Sequence, residues 1–474
     1  MSDSELEPEA EAASAHSATD ERLDADDRLR PEFVRAVIAC LDAGDEEGAR
    51  ALVEPLHPAD IADLLELVDR DDRQALAAAL AGLLDADVLA EMNEWVREEL
   101  IDELEPHQVA EIAGELETDD AVALIEDMEE EDQRAVLRAL DPDDRAAIEE
   151  ALSYPEDSAG RLMRRDAVAV PEHWTIGQVI DFCRSDEALA TDFFEVFVVD
   201  PAHRPVGTCL LSWILRTPRR IAVADVMQRE QTLIPVDMDQ EEVALRFQKY
   251  ALVSAAVVDP AGRLVGMITA DDIVHIVQEE ASEDALLLSG AGVEGDINEP
   301  VRDSYKARVR WLIANLATAL VGSTIIAAFG GAIEQMVALA VLMPIVASIG
   351  GNAGTQTMAV SVRALAMNQL TRSNTWRTIW REISVALLNG LTIAVLLGLG
   401  AGIVFASPHL GAVIAAAILI NILVAGLSGV AVPLLLERSG QDPAVASSVF
   451  VTMITDSMGF LVFLGLAVAS GLVG

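Results

Sequence analysis

Cysteine is scarce in this sequence: Cys40, Cys183 and Cys209 stand too far apart for metal-type spacing or a disulfide framework, so buried thiols are expected. Lysine is scarcer still. Lys249 and Lys306 are the only two, and 32 basic residues face 79 acidic ones. That shortage of positive charge repels nucleic acid and excludes a polybasic grip on anionic lipid, which leaves cations as the natural partners. Abundant Asp with Arg in place of Lys also suits solvation in a salt-rich cytoplasm, so acidic runs such as Glu129, Glu130, Glu131, Asp132 locate no site by themselves. No Walker loop, zincin motif or other catalytic constellation occurs, and enzyme chemistry is not expected. Residues 1–30 are polar and acidic without an apolar core, which excludes a signal peptide there and predicts a disordered tail.

What is present divides near residue 300. Residues 1–300 carry 73 acids and 23 bases, whereas 301–474 carries 6 acids and 9 bases. Over 31–153 apolar residues recur at spacings of three and four, as in Ile61, Leu64, Leu65, Val68, and breaks fall at His57-Pro58, Glu105-Pro106 and Asp141-Pro142. Proline tolerates the first helical turn and the neighbouring acids suit a helix N-terminus, so a stack of short helices is predicted. Next comes a duplication: Val198-Val199-Asp200-Pro201-Ala202-His203-Arg204-Pro205-Val206-Gly207 recurs as Val257-Val258-Asp259-Pro260-Ala261-Gly262-Arg263-Leu264-Val265-Gly266. Each copy reads as strand, tight turn, strand, helix.

The duplicated segment resembles a tandem pair of cystathionine-β-synthase (CBS) domains, placed at 154–220 and 221–278. That resemblance implies an α/β module that senses adenosine nucleotides or ions. The second copy keeps the small-residue pattern Gly266, Thr269, Asp272 that reaches a ribose in that family, and the first has Leu210 and Trp213 instead. The resemblance therefore implies at most one site per chain for ATP or another adenine nucleotide, on Thr269 and Asp272. The glycines in Gly290-Ala291-Gly292-Val293-Glu294-Gly295 match a dinucleotide fingerprint, but no strand or βαβ unit surrounds them, so they are read as a flexible joint.

Beyond residue 301 five apolar stretches reach the ~20 residues that a bilayer crossing needs, at Trp311–Phe329, Met336–Val362, Ile383–Phe405, Leu410–Leu436 and Ala444–Val473. Every base after residue 300 falls on one side of the alternation, in Arg302 to Arg310, Arg363 to Arg381, and Arg438. That side is read as the cytoplasm, with the soluble region inside, the C-terminus outside, and the chain a multi-pass plasma-membrane protein. In the second crossing, Pro344 and the stretch Gly350-Gly351-Asn352-Ala353-Gly354-Thr355-Gln356-Thr357 predict a bend lining a pore, with close packing through small residues as the competing reading. In the fifth, Asp456 lies about twelve residues in, roughly 18 Å along the helix. A charge at that depth costs on the order of 2.5–3.5 kcal/mol and should face a watery path.

The stretch Gly350 to Gln356, the motif Asp442-Pro443-Ala444 leading to Asp456, and Tyr154-Pro155-Glu156-Asp157-Ser158-Ala159-Gly160-Arg161-Leu162-Met163 together resemble the MgtE family of magnesium channels. The chain is accordingly read as multidomain: an all-α helical N-domain, α/β tandem CBS domains, a connecting helix and linker at 271–300, and a polytopic α-helical membrane domain with five transmembrane helices at 301–474. The resemblance implies a homodimer in membrane lipid whose axial pore binds Mg2+ through Asp456, Asn352, Thr355, Thr357 and Ser448. It departs locally, since Ser448 and Val449 stand where the family often has Gly-Pro. Cytoplasmic Mg2+ would close the pore by binding among Asp239, Glu241, Asp272, Glu280, Glu283 and Asp284, with Asp119 and Asp120 from the helical domain. His275 stands where an acid is common. Two other readings remain open, a coupled carrier for divalent ions such as Co2+, Mn2+ or Ni2+, and a membrane-anchored adenylate-sensing regulator.

Overall fold

The computed structural model describes residues 22–473 apart from 27, 81, 103, 127, 186–192, 293, 294 and 372. Most of the predicted tail 1–30, and Val293 and Glu294 of the predicted joint, lie outside the described residues. The chain separates into two compact units, Met1–Val274 and His275–Gly474.

Among the described residues the first unit holds ten short helices before the duplication, from α1 (Pro31–Asp42) to α10 (Pro142–Ala151). Pro58, Pro106 and Pro142 each open a helix, where a missing N–H costs nothing. Asp45, Asp69, Asp85 and Asn93 cap others by accepting from a backbone N–H of the first turn. Two apolar cores result. One is built on Val37, Val53, Leu64, Leu65 and Leu76, the other on Val122, Ile125, Val136 and Ile148. Each such side chain contributes about 1.5–3 kcal/mol by leaving water.

The duplication folds as two matching three-stranded sheets. β1 (Ala169–Pro171), α11 (Ile176–Ser185), β2 (Glu195–Val199), β3 (Pro205–Leu210) and α12 (Leu211–Arg216) form the first copy. β4 (Leu233–Pro235), α13 (Gln240–Tyr250), β5 (Ser254–Val258) and β6 (Leu264–Thr269) form the second, and α14 (Ala270–Ser289) follows. In each, the first two strands are parallel and the last two antiparallel, with a register shift at Val198/Val199 and again at Val257/Val258. The turn repeats too. Asp200 Oδ1 accepts from Ala202 and Arg204, and Asp259 Oδ1 from Ala261 and Arg263. His203 and Gly262 occupy the same left-handed position, at φ 60° and 78°. Arg161, Arg164 and Arg165 tie the helical region to this pair through Glu126, Glu117 and Glu150.

Gly290, Gly292 and Gly295 all have positive φ, which accounts for glycine there by backbone geometry alone. Among the described residues the second unit then holds five helices long and apolar enough to cross a membrane: α15 (Val301–Ala328), α17 (Val337–Ala366), α18 (Thr375–Val404), α19 (Pro408–Arg438) and α20 (Pro443–Ala469), with a short α16 (Gly330–Gln335) between the first two. A 30-residue helix is about 45 Å long against a hydrocarbon layer of about 30 Å, so the polar ends continue past the apolar stretches. α19 is the hub and packs on α17, α18 and α20. Lipid removes the hydrophobic reason for helices to associate, and small residues replace it. A Cβ on Gly354 of α17 would lie 2.6 Å from Val451 of α20, and one on Gly426 of α19 would lie 2.7 Å from Ala386 of α18.

The glycine-rich part of the second crossing is helical without interruption from Val337 to Ala366, with Pro344 inside it. Keeping the helical hydrogen bonds avoids unsatisfied backbone at membrane depth, so the stretch offers side chains rather than freed carbonyls.

Candidate cation site

Helical periodicity sorts α17 into two faces. Gly350, Gly354, Met358 and Ser361 are buried, whereas Asn352, Thr355 and Gln356 are exposed. On α20, Ser447, Val451, Thr455 and Gly459 are buried, and Ser448, Thr452 and Asp456 form a second row at i, i+4, i+8, half-buried or exposed. The two helices meet where Gly354 faces Val451 and Thr455. They are the second and fifth of five alternating spans and so run antiparallel. In antiparallel neighbours the residue after each contact position turns toward the same side of the seam. Thr355, after Gly354, and Asp456, after Thr455, therefore emerge on one side, with Asn352, Thr452 and Ser448 along the same flank. The Asp456 carboxylate makes no hydrogen bond or ion pair among the described residues.

Thr357 falls outside this row, contrary to expectation. It lies two residues, or 200°, round the helix from Thr355, and its Cβ is 2.8 Å from where a Gly429 Cβ would stand. There it helps line a cavity of about 180 Å³ between α17, α18 and α19, together with Gln356, Arg381, Glu382 and Asn389. Glu382 was not singled out from sequence because the third crossing was expected to begin one residue later. It is 6% exposed, and Arg381 Nη1 donates to its Oε1 at 2.7 Å. The available signal was its position about two turns inside an uninterrupted helical pattern.

In the first unit, Asp119 and Asp120 come together with a third acid, Glu117, their carboxylate oxygens within 4.8 Å of one another. Burial, then Asp272, then Asp120 hold the Asp119 carboxyl well above the ordinary carboxylate range, and its Oδ1 is enclosed without a hydrogen-bond partner among the described residues. Asp272 is also raised, chiefly by burial and against the opposing hydrogen bonds from Thr269. Thr269 Oγ1 donates to Asp272 Oδ2 at 2.7 Å and its N–H donates at 3.1 Å, while Arg164 Nη1 reaches Thr269 Oγ1 at 3.4 Å and Asp271 at 3.7 Å. Asp239 serves α13 as its cap, accepting from Glu241 N at 2.9 Å, and it also raises the carboxyl of Asp157, itself lifted mainly by burial.

In the second unit, Asp284 on α14 is raised by burial and then by Asp442, whose Oδ1 caps α20 by accepting from Ala444 N. One turn on, Leu287 packs with Met358, Val362, Val432, Ala444 and Val451. Glu280 and Glu283 are half-buried on the same helix. Paired carboxylates whose protons are held tightly can bind a dication in place of those protons.

Three family profiles match the chain: one described as divalent cation transporter over residues 343–466, one as MgtE intracellular N domain over 56–157, and the CBS domain over 223–279. Similar proteins include the magnesium transporter MgtE of Thermus thermophilus, 35% identical over 319 residues that cover 66% of this chain and 70% of that protein. Another is the magnesium transporter MgtE of Bacillus subtilis, 30% identical and covering 67% and 70%. Among solved structures, the cytosolic domain of the Mg2+ channel MgtE in complex with ATP is 31% identical, covers 51% of this chain and 99% of its own, and gives a TM-score of 0.47.

Proposed function

The chain belongs to the MgtE family, and from that membership we propose that it transports Mg2+ across the membrane along the polar flank of α17 and α20. The observation that carries this reading is the position of Asp456: mid-span, in one row with Ser448 and Thr452, and on the same side of the seam as Asn352 and Thr355. Within a single chain this flank is open, and a carboxylate facing hydrocarbon is costly. A homodimer in membrane lipid relieves that cost, because two copies meeting on this flank enclose a polar path and bring their Asp456 carboxylates together. Mg2+ is small and gives up water reluctantly, so a ring of carboxylate, amide and hydroxyl oxygens suits it while most of its hydration shell stays in place.

Regulation follows the same chemistry. Bases at the ends of α15, α17, α18 and α19 support a cytoplasmic side for the first unit and α14 and an outer side for the C-terminus. Cytoplasmic Mg2+ bound between Asp284 and Asp442 would fix α14 to the start of the helix that carries Asp456, with Glu280 and Glu283 supplying further oxygens. In the first unit, Mg2+ among Glu117, Asp119, Asp120 and Asp272 would balance the negative charge that burial, then Asp272 and Asp120, make costly on Asp119. Without the ion these groups repel, and the pore opens. An adenine nucleotide fits the second CBS copy, where Thr269 orients Asp272 as an acceptor for a ribose hydroxyl.

Flux into vesicles containing the purified protein and a Mg2+-sensitive dye tests the proposal. Asp456→Asn should reduce entry to that of protein-free vesicles, and entry at the wild-type rate would refute it. Dependence of the wild-type rate on an imposed proton or sodium gradient would identify a coupled carrier instead.

A further inference from the structure

Asn421 stands in the middle of α19 and belongs to neither polar row, yet it is the most enclosed amide of the membrane unit among the described residues, at 1% exposure. Its Nδ2 donates to the Val346 carbonyl of α17 at 3.1 Å, and its Oδ1 has no partner among the described residues. Two glycines make room for it. A methyl group on Gly350 of α17 would overlap Asn421 Nδ2, and one on Gly459 of α20 would come within 2.8 Å of the same atom. Gly350 precedes Asn352 by two residues and Gly459 follows Asp456 by three, so the amide is wedged between the two proposed pore-lining helices within one turn of their polar rows. The neighbours Val346, Ile418 and Ile422 are apolar and buried, and a leucine would fill such a space without leaving an acceptor unused.

We propose that Asn421 is a positioning residue of the transport path: its amide fixes the register of α17 against α20, and so sets the spacing of Asn352 and Thr355 from Asp456. Asn421 touches no ion. It acts through Val346, Gly350 and Gly459, and the proposal rests on the pore reading above. A ring of oxygens that discriminates between dications by size depends on that spacing, whereas folding of the bundle depends mainly on the small-residue seams already described.

The test measures Mg2+ and Ca2+ entry into vesicles containing the full chain, with thermal unfolding recorded on the same preparations. Asn421→Leu keeps the branched outline of the side chain and removes the amide. It should fold and lower the Mg2+-to-Ca2+ flux ratio about tenfold. Gly350→Ala should fold poorly through the overlap, and Gly350→Ala combined with Asn421→Ala should recover folding while leaving the ratio low. A wild-type ratio in either Asn421→Leu or the double variant overturns the proposal. If Asn421→Leu does not fold, the double variant decides. If neither folds, Asn421 is a folding determinant and the positioning role is wrong. Asp456→Asn is run alongside: unchanged flux there would sink the pore reading itself, whereas lost flux there with a normal ratio in Asn421→Leu counts against Asn421 alone.

Discussion

At the scale of single residues, the acids separate by the company they keep. Asp119 has its carboxyl raised by burial and by Asp272 and Asp120, so ionising it costs folded-state stability. For an acid whose folded value is raised, stability falls as pH climbs from the ordinary 3.8 toward that raised value. Without divalent cation, thermal stability of the chain should therefore increase as pH is lowered from neutral, and saturating Mg2+ or Asp119→Asn should flatten the dependence. An equal slope in Asp119→Asn would contradict this. Asp239 shows how a sequence assignment can mix two roles, since it was expected among the sensing acids and the structure gives it a helix cap. Asp239→Ala should cost about 1 kcal/mol in chemical denaturation and Asp239→Asn a few tenths, because Asn caps equally well. A loss of similar size in both would mean that the charge matters more than the cap. Asp119 was legible as an acid at the start of a helix. The enclosure that perturbs it was not, because it arises from packing against Asp272, far along the chain.

At the scale of elements, α14 carries the proposed coupling, running to Asp284 beside Asp442 and to Leu287 among the ends of α17, α19 and α20. Asp284→Asn, or Glu280→Gln with Glu283→Gln, should leave Mg2+ entry high when Mg2+ inside the proposed cytoplasmic face is high, whereas the wild-type chain closes. Unchanged closure would remove α14 from the mechanism. In salt near 1 M the Debye length is about 3 Å, so only carboxylates bridged directly by the ion can operate such a switch. The CBS repeat was the most legible element, because the identity between copies extends to Asp200 and Asp259, the residues that build each turn. The polar stretch of α17 was half legible. Gly350 and Gly354 pack whereas Asn352 and Thr355 are exposed, and only the neighbours α19 and α20 reveal which face is which. The turn of Thr357 toward Gly429 was hidden for the same reason.

At the scale of the whole chain, a strongly acidic unit precedes a nearly neutral bundle of five apolar helices, a division visible in composition because lipid and water demand opposite surfaces. Composition does not reveal which flank of the bundle is wetted, since helix wheels with scattered Thr and Asn look alike until packed. The flank bearing Asp456 is the one proposed to line the ion path. Thr452→Cys, placed on that flank in a chain with its three native cysteines replaced, tests this directly through Mg2+ flux before and after treatment with a charged, thiol-specific reagent. Block of flux in Thr452→Cys, with none in a Leu388→Cys control on the exposed side of α18, is the predicted result; free flux after complete modification of Thr452→Cys would contradict it.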